Sequence, residues 1–195
     1  MTKSHAFILV SMLTLLQAAP AVAQKKLTGD EYISSLEKIG TIEQIDIDAI
    51  RAKAVDSAAR NRTPEEVAQE PLSSELQRLS QFTVNIEFQL NSAAILPQSF
   101  RLVGAMADAL RHPTLLEYKF LIVGHTDTTG NRTSNLELSQ KRADAIRDAL
   151  VTTFGISPDR VFSIGLGQEQ LLDPKKPTSP ANRRVQLINI GRYRS

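Results

Sequence analysis

"YKFLIVGHTDTTG", Tyr118 to Gly130, is the stretch on which the reading of this chain turns. Its first half sets Phe120, Leu121, Ile122 and Val123 in succession. Because side chains of a strand alternate between faces, such a run is apolar on both, as in a strand at the centre of its sheet. Its second half changes abruptly to one histidine, one aspartate, three threonines and two glycines. A buried strand therefore emerges onto a polar turn, which admits a metal site, a phosphate cradle, a catalytic corner or the rim of a pocket.

The flanking segments supply the rest of a sheet. Phe82, Val84, Ile86, Phe88 and Leu90 alternate with polar residues and predict a half-buried strand. Pro97 follows, and Phe100, Val103, Ala107 and Leu110 mark one helical face that closes at His112-Pro113. Ser134-x-x-Glu137 predicts the start of a second helix, running to about Phe154 and stopped by Gly155. "DRVFSIG" reads as a third strand, and a loop broken by Pro174, Pro177 and Pro180 leads to a fourth, "RRVQLINI". The order β-α-β-α-β-β implies an α/β (α+β) two-layer sandwich, with its helices on one face of a mixed sheet.

Outside this unit the texture changes. Residues 1–23 combine Lys3, a mostly apolar stretch from Ala6 to Leu16 and the ending Ala21-Val22-Ala23, which predicts a secretory signal peptide cut before Gln24. The apolar stretch is short for the ~20 residues of a membrane span. Residues 24–81 form an arm with three helix-start patterns, "TGDE" from Thr28, "TIEQ" from Thr41 and "TPEE" from Thr63. Ile42, Ile45, Ile50 and Ala54 give it one apolar stripe, and Tyr32 is its single aromatic. The arm reads as too poor to hold a core of its own, hence a partly ordered linker or an arm that binds a protein of the envelope. The sandwich occupies 82–191 and a short tail 192–195.

Composition narrows the chemistry. The chain of 195 residues has no cysteine, so disulfides, thiolate metal sites and a lipid-bearing cysteine are excluded. Its formal charge of +2 falls to +1 without residues 1–23, and no basic block exceeds "NRRV" or "GRYRS"; nucleic acid lacks an electrostatic footprint. His125 and Asp127 alternate on a strand, but only His112 and His125 follow residue 23, too few for a zinc enzyme. No G-x-S-x-G elbow exists, and "GLGQEQ" matches no phosphate loop, so no cofactor and no enzyme is expected.

On a helical wheel Leu138, Ala145, Ile146, Ala149 and Thr153 fall in one arc, with Arg142 in its middle. A desolvated guanidinium needs an anion. Asp127, at the exit of the central strand, is the candidate: either the two neutralise each other, or they stand apart in a cleft as two halves of a site for a ligand of both charges. Asn135 and Leu138 would flank that cleft, and Arg183 could add a second positive charge.

Taken together, Gly124-His125-Thr126-Asp127, Gly130, Asn135-x-x-Leu138-Ser139-x-x-Arg142-Ala143 and Asn182-Arg183-Arg184-Val185 resemble the carboxy-terminal OmpA-like domain shared with the peptidoglycan-associated lipoprotein and the MotB stator. "IEFQLNSAAILPQS" is similar to that family's opening "I-x-F-x-x-x-S-x-x-I-x-P". The resemblance covers about Phe82 to Ile190 and leaves 24–81 uncovered. It implies non-covalent, non-enzymatic binding of peptidoglycan in the periplasm through the diaminopimelate of the stem peptide. Asp127 would face the ligand's ammonium and Arg142 its carboxylate, with Thr126, Asn135 and Leu138 beside them and Arg183 in support. The alternative is an accessory or scaffold subunit of an envelope assembly. With no span in the mature chain, any outer-membrane attachment would run through a partner. One departure stands out: where the family often carries Gly-Arg before "NRRV", this chain has Thr178-Ser179-Pro180.

Overall fold

The computed structural model describes residues 29–37, 45–60, 62–69 and 72–192. The expected signal segment, the "TIEQ" start and residues 193–195 lie outside them. Four helices lead in: α1 (Gly29–Glu37), α2 (Ile47–Ala59), α3 (Pro64–Gln69) and α4 (Ser74–Arg78). The "TPEE" box forms as written, with the Thr63 amide donating to Glu66 Oε2 and the Glu66 amide to Thr63 Oγ1. Then come β1 (Gln81–Val84), α5 (Phe100–Leu110), β2 (Tyr118–His125), α6 (Arg132–Asp148, extended by a wider turn, Ala149–Thr153), β3 (Val161–Gly167) and β4 (Val185–Arg192).

The sheet runs β1-β4-β2-β3, antiparallel except for the β2–β3 pair joined through α6. It is the expected mixed sheet, with β2 inside it. On one face Phe120 and Ile122 of β2 meet Val103, Met106 and Leu110 of α5 and Ile146 of α6, with Tyr32 and Leu36 of α1 joining the same core. On the other, Leu121 and Val123 pack with Ile164, Leu166 and Ile188 against Ile50 and Ala54 of α2 and Leu72 and Leu76 around α4. The described part of the arm is thus packed structure. It holds no core of its own; it covers the second apolar face of β2 and adds a third layer to the two-layer unit. Burying Leu76 alone contributes about 1.5–3 kcal/mol. Contacts cross the expected division at residue 82 on both faces of the sheet.

A polar clasp fixes the arm. Glu169, 1% exposed, accepts from Arg132 Nε (2.6 Å) and Nη2 (2.9 Å) and from Ser57 Oγ of α2 (2.6 Å). Arg132 also donates to the Arg62 carbonyl, and Arg62 Nη2 donates to Ser57 Oγ.

Helix α6 lies directly on the sheet. A Cβ on Gly124 would stand 2.3 Å from the Ser139 carbonyl oxygen, and one on Gly165 would stand 2.2 Å from the Gln140 nitrogen. Only glycine permits that approach. From this position α6 reaches the outer edge of β3: Gln140 Oε1 and Ser139 Oγ accept from the amides of Gly165 and Gly167, and Arg147 Nε donates to the Val161 carbonyl. Arg51 of α2 donates to the Ser163 carbonyl.

Two boundaries and the placement of two apolar side chains differ from expectation. The first strand ends at Val84; Ile86 and Phe88 continue the inward alternation, but Leu90 is 87% exposed at the tip of a turn in which Asn91 takes φ 51°. Phe100 is likewise exposed. Helix α6 starts two residues before Ser134, because Asn131 Oδ1 accepts from the Ser134 amide and takes the cap.

Candidate functional site

The polar turn after β2 is held from two sides. The Thr126 amide donates to the Gly167 carbonyl of β3, and the Thr128 amide to the Pro177 carbonyl of the loop before β4. Asp127, 4% exposed, closes the turn on itself by accepting from the Thr129 amide at Oδ1 (2.9 Å). Its other oxygen, Oδ2, accepts from Arg183 Nη1 at 2.5 Å. Arg183, expected as a supporting charge, is thus the direct ionic partner of Asp127, with about half of its side chain in solvent.

Arg142 is not in the middle of the inward arc. The buried stripe of α6 is Asn135, Ser139, Ala143 and Ile146, with Arg142 beside it, Leu138 half-buried and Thr153 exposed. The glycines of β2 and β3 draw small residues to the centre of the contact, so a wheel weighted by hydrophobicity points slightly wrong. Arg142 lays its guanidinium over the Phe88 ring, 4.9 Å from the centroid, and donates from Nε to the Ser92 carbonyl (3.1 Å). Among the described residues it makes no ion pair. Burial holds its pKa below the ordinary arginine range, the nearby Arg183 lowers it further, and Asp127 pulls the other way. The three charges thus feel one another, while Asp127 and Arg142 remain unjoined.

Other expected site residues take narrower parts. The Asn135 amide nitrogen donates to the Asp127 and Thr129 carbonyls and to Gln168 Oε1, tying the turn to α6 and to the end of β3. Thr126 is buried and its Oγ1 has no partner among the described residues. His125 is 3% exposed, and burial pushes its imidazole well below the usual histidine range, with the Arg184 cation adding to the effect. That cation also argues against a metal at His125. Among the described residues no three His, Asp or Glu side chains group as a metal site would need.

Sequence reasoning named Asn182, Arg184 and Phe88 but gave them no role at the site. Asn182 is wholly buried and organises the loop that carries Arg183: its Oδ1 accepts from the amides of Leu172 and Asp173, and its Nδ2 donates to the Lys176 and Pro177 carbonyls. Arg184, 7% exposed, is bound by the Gln170 and Asn182 carbonyls and Gln186, and burial lowers its pKa to about 10. Both lie in "NRRV", so that motif signalled more than its first arginine.

Phe88, Arg142, Arg183, Arg184 and Val185 line a pocket of about 20 Å³, room for roughly one water. Three guanidinium groups make this pocket positive and suited to an anion; Asp127 does not line it and reaches it only through its contact with Arg183.

Residues 87–184 match the OmpA family. The chain is 34% identical over 116 residues to the peptidoglycan-associated lipoprotein of Brucella melitensis, covering 55% of this chain and 67% of that protein. It is 30% identical over 105 residues to the peptidoglycan-binding protein ArfA of Mycobacterium tuberculosis, covering 53% of this chain and 31% of that protein. The chain thus spans under a third of the length of several curated relatives it matches. A solved structure of a putative MotB-like protein from Desulfovibrio vulgaris superposes with a TM-score of 0.51 at 20% identity, over 74% of this chain and 98% of that one, which speaks to the fold.

Proposed function

The chain belongs to the OmpA family, and from that premise we propose that it binds peptidoglycan non-covalently in the periplasm by holding the diaminopimelate of the stem peptide. That amino acid ends in an ammonium and a carboxylate on one carbon, and Asp127 and Arg142 offer a charge for each. The observation that carries the reading is the pair that does not form: among the described residues Arg142 has no anion, although the buried carboxylate of Asp127 lies close enough to perturb it. Two opposite charges held apart at one pocket suit a zwitterion. The names of two relatives, a peptidoglycan-associated lipoprotein and a peptidoglycan-binding protein, support the same ligand class.

Nothing in the pocket resembles a nucleophile paired with a base, so the proposed role is retention, not reaction. Among the described residues no helix is long and apolar enough to cross a membrane; attachment to the outer membrane would run through a partner. Co-sedimentation of the purified protein with intact sacculi tests the proposal. Wild type is expected in the pellet, with Asp127→Ala and Arg142→Ala in the supernatant. If both folded variants pellet like wild type, the pocket is not the wall site. If wild type itself stays in the supernatant, the scaffold reading takes its place.

A further inference from the structure

The contact between Arg183 and Asp127 has a consequence for selectivity. The carboxylate that would receive a ligand's ammonium is already occupied, at 2.5 Å, by a guanidinium of the same chain. An ammonium that approaches the same oxygen has to compete with that guanidinium. The two arginines at the pocket differ in how firmly they are set. Arg142 is pinned by the Ser92 carbonyl and the Phe88 ring. The Arg183 side chain has the Asp127 contact as its one hydrogen bond among the described residues, and about half of it already lies in solvent. Turning it outward therefore costs little desolvation. Both arginines line the same pocket, so an Arg183 released from Asp127 can meet a carboxylate that Arg142 also holds.

Resting on the diaminopimelate reading of this pocket, we infer that Arg183 is an exchangeable counter-ion that sets selectivity: a ligand's ammonium displaces it from Asp127, and only a ligand with a carboxylate beside that ammonium gives the released guanidinium a new partner. A bare amine, as on a lysine side chain, displaces Arg183 and leaves two guanidinium groups without an anion. Diaminopimelate displaces it and satisfies both. The cost of exchange is then common to the two ligands, and its recovery belongs to one.

The test uses the full chain and two synthetic stem peptides, identical except that one carries diaminopimelate and the other lysine at the third position, with affinities from calorimetry. Replacing Arg183 with Gln removes the competitor. The lysine peptide is then expected to bind about three- to tenfold more tightly than it binds wild type, which is the strength of a half-exposed ion pair with one buried member. The ratio of affinities should fall by at least that factor. Arg183→Lys, which keeps a cation but lacks the fork, should bind the lysine peptide more weakly than Arg183→Gln does. If Arg183→Gln binds the lysine peptide no better than wild type, or keeps the wild-type ratio, the inference is wrong. Asp127→Ala and Arg142→Ala in the same assay separate the two levels: if neither weakens the diaminopimelate peptide, the underlying site reading has failed, whatever Arg183 does.

Discussion

Two buried carboxylates in this protein meet arginines in opposite ways. Glu169 has both oxygens engaged by Arg132, takes a further bond from Ser57, and lies beneath the arm. Asp127 gives one oxygen to its own turn and the other to an arginine half in solvent, while a second arginine nearby has no ionic partner among the described residues. The first arrangement is complete, and any change to it is a loss. The second is incomplete, and on the proposed function that incompleteness is what a ligand would make good. Where a buried charge has every acceptor site filled it fastens structure; where a neighbour is left unsatisfied it points to a ligand.

Breaking the complete arrangement should have the largest effect on the fold. Glu169→Ala leaves Arg132 buried without an anion, and a loss of about 3–5 kcal/mol in urea unfolding is expected, with the arm more open to proteolysis. Asp127→Ala, by contrast, should cost about 2–5 kcal/mol of wall binding while moving the urea midpoint much less, because Arg183 falls back into water. Equal destabilisation by the two substitutions would erase the distinction. A sharper form of the comparison uses Ser57→Ala, which removes one neutral donor from a carboxylate that keeps its ion pair; about 1 kcal/mol of stability should go, without change in sacculus binding.

The smallest expected effect concerns His125, a buried residue of the pocket wall. Its folded pKa is depressed by burial, so the unfolded chain takes up the proton first as pH falls. Its contribution to stability is complete above the ordinary histidine value near 6.5 and is lost as pH drops below it toward the depressed folded value. Thermal melts between neutral and mildly acidic pH should show that decline, and His125→Gln should flatten it. A decline that persists in the variant belongs to other groups.

Much of the fold was legible because it follows from alternation and turn chemistry: all four strands, both large helices and the central position of β2. The covered second face was also written in the sequence. Phe120 to Val123 are apolar in succession, and a sheet with helices on one side alone would expose Leu121 and Val123. That run required a third layer, and the modest stripe of Ile50 and Ala54 was its match, but neither half looks like a core when read separately. Leu90 was misread because alternation continues through a turn whose backbone has already left the sheet. The offset of Arg142 escaped for a different reason: the centre of the α6 contact is set by Gly124 and Gly165, and a helical wheel knows nothing of the surface beneath it. The clasp was beyond reach, since Ser57, Arg132 and Glu169 lie far apart in sequence and only the fold brings them together.

The outer edge of β3 has its backbone groups answered by Gln140, Ser139, Arg147 and Arg51. A strand edge left bare is a template on which a second chain can add. Here four of those groups along β3 are already engaged by side chains of the same chain, so a second strand adding at this edge would first have to displace them.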